Sequence, residues 1–240
     1  MAAHAVKKKI AMAAAHFLEV PEEELDVDDG RVMVKNSNRS LSFQELAKAF
    51  YSSMGTFPKE LREEIGNFEA TKVYDPFLGT TTTASHITMV EIDPETYKVE
   101  VLKYVVAEDC GRVINPMIVD GQVHGGVAQG IGAALYEEIV YNSEGQILTA
   151  NLVDYLVPTA PEIPTIDVLH LENIKPATIG GYRGMGEGGT IGAPAAVANA
   201  IADALSHLDI NITELPATPE RIFLLVQAAK EKKQEKNLGS

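Results

Sequence analysis

Apolar positions along the chain switch between a helical period and a period of two, and the switches mark out a mixed set of helices and strands. Residues 2–18 carry alanine, leucine, isoleucine and lysine at helical spacing. That helix is expected to stop before Val20-Pro21, because the residue preceding a proline is pushed out of the helical region. Leu25 to Val27 and Arg31 to Lys35 flank Asp28-Asp29-Gly30, a hairpin signature with glycine where positive φ is needed. Ser42 and Glu45 form a capping box that opens a helix through about Tyr51. Residues 52–71 contain Gly55, Pro58 and Gly66 and few periodic apolar positions, which predicts an irregular loop between two parts of the fold.

From Ser85 the period is two. Ser85 to Asp93 and Lys98 to Ala107 are β-branched runs joined by Pro94-Glu95-Thr96, a second hairpin. Asn115-Pro116 opens a helical stretch to about Glu138 that contains Gly121, Gly125, Gly126, Gly130 and Gly132. Each glycine costs about 1 kcal/mol in an exposed helix. Tight packing against another element, or approach of the backbone to a ligand, must offset that. Tyr141 and Ile147-Leu148 flank Asn142-Ser143-Glu144-Gly145, a third hairpin signature, and Asp167 to Leu171 suggest one more strand. Ala195 to Leu205 are apolar enough for a buried helix with Pro194 at its first turn. A last helix starts at Thr218-Pro219-Glu220. The expected class is α+β, with a helix, hairpin and helix over residues 1–70 and a larger α+β region over residues 71–240.

Composition narrows the function. A formal net charge of -14 over 240 residues argues against a nucleic-acid backbone as partner, and Lys7 to Lys9 and Lys230 to Lys236 read as solvated helix faces. The one cysteine, Cys110, excludes an internal disulfide and a four-thiolate iron–sulfur cluster, and reads as a small buried residue. Lys7 to Lys9 followed by Ile10 and alanines loosely imitate a signal peptide. His16 and Glu19 interrupt the apolar run, and an amphipathic helix fits better. No stretch approaches the ~20 apolar residues of a membrane span, and a cytoplasmic protein is expected. The six histidines form no HExxH or His/Cys cluster. Asp120 and His124 are only an i, i+4 pair, and His86 beside Ser85 on a strand points to the opposite face, so packing roles are expected.

The densest anomaly is Gly180 to Gly192, where seven glycines surround Glu187 and a helix follows. Gly184-x-Gly186-x-x-Gly189 with Asp209 downstream matches the dinucleotide fingerprint, but no convincing strand runs into it. An acid beside a pyrophosphate also opposes the purpose of such a loop. Two readings of Glu187 remain open on spacing alone. The glycines present it as a base in a site that excludes water, where burial strengthens it; or it merely caps the helix that follows.

Gly184-Met185-Gly186-Glu187-Gly188-Gly189-Thr190-Ile191-Gly192-Ala193-Pro194-Ala195-Ala196 resembles the active-site glutamate motif of the xanthine dehydrogenase and aerobic carbon monoxide dehydrogenase family. Asp109-Cys110-Gly111-Arg112-Val113-Ile114-Asn115-Pro116 and Gly121-Gln122-Val123-His124-Gly125-Gly126-Val127-Ala128-Gln129-Gly130 resemble further large-subunit segments of that family, in the same order. The resemblance runs from near residue 2 to about residue 228. It implies a C-terminal molybdopterin-binding domain with mixed sheets and packed helices.

By that resemblance, Glu187 is the base that deprotonates a molybdenum-bound water or hydroxide as its oxygen attacks a carbon of an aldehyde, N-heterocycle or similar substrate, with hydride passing to a sulfido ligand. Gln122 hydrogen-bonds the pterin, and Gly121, Gly125, Gly186 and Gly188 let the backbone approach it. The cofactor implied is molybdenum-molybdopterin in its cytosine dinucleotide form, with iron–sulfur clusters and FAD on partner subunits. Partners are therefore the N-terminal part of the molybdenum subunit, an iron–sulfur subunit and an FAD subunit. A usual large subunit is about three times longer, and the segment that normally precedes the first helix is missing. The expectation is a large subunit split between two genes rather than a fragment. Gln129 reads either as a cofactor contact or as part of a helix interface, while Tyr182 and Arg183 read as structural support in preference to a contact with substrate or another chain. The competing functions are a non-catalytic assembly protein that kept the fold, and a stand-alone nicotinamide-dependent dehydrogenase.

Overall fold

The structure is a computed structural model that describes residues 1–53, 55–75, 81–174 and 178–238. The chain divides into two compact units, Met1–Asp75 and Pro76–Ser240.

In the first unit, helix α1 (Ala2–Leu18) ends on Glu19 in the left-handed region, one residue ahead of Val20-Pro21. Strands β1 (Leu25–Asp28), β2 (Arg31–Val34) and β3 (Ser40–Ser42) form an antiparallel sheet in that order. The β1–β2 turn places Asp29 at φ 42° and Gly30 at φ 71°, the paired positive values that a tight two-residue hairpin requires. Helix α2 (Phe43–Ser52) begins with the expected capping box: the Ser42 hydroxyl accepts from Glu45 N at 3.1 Å, and Ser42 N donates to the Glu45 carboxylate at 2.8 Å. The loop expected over residues 52–71 is corrected by helix α3 (Lys59–Ile65). Pro58 and Gly66 bound that helix rather than break it, and Leu61 and Ile65, four residues apart, supply the apolar stripe. Ile10, Ala14, Val32, Leu46, Phe50, Phe57 and Ile65 form the core of this unit.

The second unit is a three-stranded sheet covered by helices. Strands β4 (Thr83–Ile92) and β5 (Val99–Asp109) pair antiparallel, and β6 (Ile166–His170) pairs parallel with β5. The Asp93 carboxylate accepts from Glu95 N and Thr96 N at 2.9 and 2.7 Å and so closes the β4–β5 turn. Helix α4 (Pro116–Leu135) starts at Asn115, whose side chain accepts from Ile118 N. Val119, Val123, Val127, Ile131 and Leu135 recur every fourth residue and are buried. Helix α5 (Ala193–Ala204) buries Ala193, Val197 and Ile201 and leaves Ala195 exposed, so it is covered on one side rather than all round. Helix α6 (Pro219–Leu238) adds Ile222 and Val226 to the core.

The third hairpin is reduced to one isolated bridge, Tyr141 to Ile147, with Leu148 N donating to Val140 O. Among the described residues no further strand flanks it, and Ile139, Tyr141, Ile147 and Leu148 remain exposed.

Candidate functional site

The Glu187 loop is held against α4 by glycines on both sides. A Cβ on Gly126 would lie 2.8 Å from Gly189 C and from Thr190 N. Conversely, a Cβ on Gly189 would lie 2.5 Å from Val123 O. Gly130 faces Ala193 and Gly192 faces the His86 ring just as closely. At Gly126 and Gly189 two backbones meet, and at Gly130 and Gly192 a side chain of another element fills the space, which is the packing answer to the glycine-rich helix.

A second group behaves oppositely. Cβ atoms on Gly121, Gly125 and Gly186 would meet nothing within 4 Å among the described residues. Gly121 and Gly125 lie on an exposed stripe of α4 with Ile118, Gln122 and Gln129, next to the face that meets the loop. Gln122 Nε2 lies 3.4 Å from Gly186 O, which brings the expected cofactor residue and the expected base residue to one place. Gly188 falls in the first group: it is buried, and a Cβ there would meet Met185 and Thr82. Gln129 meets Thr190 at 3.5 Å across the same helix–loop junction.

Glu187 closes its own turn through its main chain. Thr190 N and Ile191 N donate to Glu187 O at 2.9 and 3.1 Å. The N-cap of α5 is Gly192 and no side chain caps that helix, so the capping alternative for Glu187 is not realised. Its side chain is exposed. The water-excluding surround that was expected is therefore not built by the described residues of this chain.

Asp109 joins the end of β5 to the same loop. Its carboxylate accepts from Gly111 N at 2.9 Å, from Asn173 N at 3.2 Å and from Arg183 at 3.0 Å. Burial opposes its charge, but these bonds and the guanidinium hold its pKa below the usual value. Arg183 N donates to Cys110 O and Arg112 N to Gly181 O, and a Cβ on Gly111 would strike Gly181 O. Arg183 thus braces the loop, as expected of it. Burial and the neighbouring Glu108 push the Cys110 thiol up to about 11, which suits an inert buried cysteine.

Two histidines carry contacts that sequence reasoning missed. His86 Nε2 lies 3.0 Å from Gly188 O, and His170 Nε2 lies 2.7 Å from the Asp120 carboxylate on α4. Partners 102 and 50 residues away leave no local signal. Among the described residues no group of three or more His, Cys, Asp or Glu side chains is arranged to hold a metal ion. No described helix is long and apolar enough to cross a membrane.

Comparison with known proteins adds a family to this geometry. The family model matching residues 1–164 is described as a molybdopterin cofactor-binding domain. The chain is 40% identical over 222 residues to the nicotine 6-hydroxylase large subunit of Paenarthrobacter nicotinovorans, covering 92% of this chain and 27% of that relative. It is 33% identical over 224 residues to the carbon monoxide dehydrogenase large chain of Afipia carboxidovorans, covering 93% and 27%. The crystal structure of quinoline 2-oxidoreductase from Pseudomonas putida 86 matches with a TM-score of 0.78 and 42% identity, over 92% of this chain and 28% of that one. The chain thus spans about a quarter of the length of these relatives. The family model stops short of the Glu187 loop, but an alignment of 222 residues includes residues 122 and 187 wherever it starts.

Proposed function

Because the chain belongs to the molybdopterin cofactor-binding domain family, that of the xanthine dehydrogenase and carbon monoxide dehydrogenase large subunits, we propose that it supplies the base-bearing part of a molybdenum hydroxylase. The reaction is oxidation of a ring carbon in an N-heteroaromatic compound, with water as oxygen source. Its net form is RH + H2O → ROH + 2 electrons + 2 protons. Two relatives name such compounds, nicotine and quinoline, at 40% and 42% identity.

The observation that carries this reading is the open stripe beside Glu187. Among the described residues nothing lies over Gly121, Gly125 and Gly186, although glycines elsewhere in the same elements are filled by this chain. Three side chains are absent where the folded chain gains no packing from their absence, which fits a large rigid group lying along α4. The residues present fit the pterin in that respect. Gln122 places a carboxamide beside the stripe, with donors and an acceptor for a polar heterocycle. When bound, the molybdenum–pterin group supplies the two-electron redox chemistry, in the cytosine dinucleotide form.

The work of this chain is then positioning and proton transfer. Gln122 orients the pterin by hydrogen bonding, and Gly121 and Gly125 let the α4 backbone come close. Glu187 takes a proton on a carboxylate oxygen as oxygen is delivered to substrate carbon, and afterwards releases it to solvent. Water exclusion around Glu187 comes from the remainder of the molybdenum subunit. Iron–sulfur and FAD subunits carry the electrons away.

The test is Glu187→Gln in the reconstituted complex. Turnover should fall by at least about 10²–10⁴-fold, the usual contribution of a positioned general base, while molybdenum and pterin content stay unchanged. Near-normal turnover would remove Glu187 from the mechanism.

A further inference from the structure

Beneath the Glu187 turn lies a half-buried imidazole on the core-facing side of β4. His86 Nδ1 is 3.0 Å from the hydroxyl of Tyr104, a fully buried residue of β5, and Nε2 is 3.0 Å from Gly188 O. Gly192 closes over the ring, where a Cβ would come within 2.5 Å of His86 Cδ2. The ring therefore touches the turn at Gly188 and again at Gly192.

The polarity of this chain of contacts follows from its ends. A main-chain carbonyl only accepts, so Nε2 carries the hydrogen and donates to Gly188 O. Burial lowers the pKa of His86 and outweighs the opposing effect of Gly188, so the ring is neutral at pH 7. Nδ1 is then the bare nitrogen and accepts from Tyr104 O–H. Burial pushes the phenol pKa of Tyr104 upward, so that hydroxyl keeps its proton. One tautomer satisfies every group.

The consequence for Glu187 lies in its flanking peptides. Gly186 O accepts from Gln122 on α4, Glu187 O accepts from Thr190 N and Ile191 N, and Gly188 O accepts from His86 on β4. Three consecutive carbonyls of the turn are thus hydrogen-bonded, two of them by side chains from other elements. The contact at Gly186 is long at 3.4 Å, and the contact at Gly188 is 3.0 Å.

We propose that His86, its ring held at Nδ1 by the Tyr104 hydroxyl, is a positioning residue that fixes the direction of the Glu187 side chain through the Gly188 carbonyl. The inference rests on the reading of Glu187 as the base, but the bracing it asserts is measurable without turnover.

The experiment uses the full 240-residue chain, ¹⁵N-labelled, as wild type and as His86→Phe, His86→Gln and Tyr104→Phe. In the wild type the ring ¹⁵N shifts at neutral pH should show Nε2 protonated and Nδ1 bare; the opposite tautomer overturns the proposal. His86→Phe keeps the ring bulk against Gly192 and removes the donor. It should speed amide exchange at Thr190 and Ile191 roughly tenfold, the scale of one lost hydrogen bond, with Val127 and Ile131 unchanged. His86→Gln, which restores an N–H, should recover most of that protection. Unchanged exchange in His86→Phe, or no recovery in His86→Gln, overturns the proposal. Should His86→Phe not fold, Tyr104→Phe decides: losing the hydroxyl that holds Nδ1 should loosen the ring and speed exchange at Thr190 and Ile191, and unchanged exchange there overturns the proposal. Glu187→Gln leaves these exchange rates unchanged, so failure of the base assignment and failure of the brace read out separately.

Discussion

His170 faces two carboxylates at once. Its Nδ1 is hydrogen-bonded to Glu108 Oε1 and its Nε2 lies 2.7 Å from Asp120 Oδ1. A neutral imidazole has one N–H, so both contacts are favourable only for the imidazolium. Burial of the ring works against that charge. The bonds to Glu108 and Asp120, and their charges, outweigh it and raise the pKa of His170. Of the other ionisable groups close by, Cys110 meets Glu108 as a neutral thiol and Asp109 is engaged by Arg183. A pKa raised by folding gives a stabilisation that is complete below the unfolded value of about 6.5 and is lost as pH climbs through the folded value. The urea midpoint of the chain should therefore fall as pH rises above about 6.5, and His170→Gln should flatten that dependence; an unaltered slope would exclude the ion pairs. His170→Ala should cost about 3–5 kcal/mol, because the buried Glu108 carboxylate is left uncompensated. Glu108 Oε2 has no hydrogen-bond partner among the described residues, which makes that loss harder to absorb.

At the level of elements, α4 serves two neighbours with two kinds of glycine, and substitution should separate them. Gly126→Ala drives a Cβ into the Gly189–Thr190 peptide, and neither backbone can rotate away. It should destabilise the chain by about 1–3 kcal/mol as an overpacking change and displace the Glu187 loop. Gly121→Ala and Gly125→Ala enter open space and remove a poor helix former, so each should stabilise the isolated chain by up to about 1 kcal/mol. In the assembled enzyme the same two changes should lower pterin content. Thermal melts of the chain and pterin assays of the complex check the pair; equal pterin content would mean that the stripe faces nothing. The presence of α4 was legible in Asn115-Pro116 and in valines every fourth residue, because caps and periodicity are local. Which of its glycines met the loop was not legible, since Gly126 and Gly189 are brought together only by the tertiary fold. Helix α3 was missed because it has seven residues, and its bounding Pro58 and Gly66 read as loop punctuation.

For the molecule as a whole, the proposed function makes the pattern of exposure informative. Glu187 is exposed, and so is a concentration of large apolar side chains at Ile139, Tyr141, Leu148, Leu152, Val153 and Leu156. Apolar surface that is scattered singly needs no explanation, but a run of this kind marks a contact. The hydrophobicity of that run was plain in the sequence. That it stays uncovered among the described residues was not, because the turn signature at Asn142 to Gly145 suggested a hairpin. Relatives of which the match covers 27% supply candidates for the cover. If the rest of the molybdenum subunit lies there, the purified chain should not hydroxylate quinoline or nicotine, and adding the complementary polypeptide with its electron-transfer subunits should restore turnover. Leu152→Asp with Val153→Asp should leave the unfolding midpoint of the chain almost unchanged, since exposed substitutions usually move stability by less than about 0.5 kcal/mol. The same pair should weaken assembly at least about tenfold, because two desolvated apolar contacts are replaced by buried charge. Undiminished assembly would place the cover elsewhere, on a face that leaves this run in water.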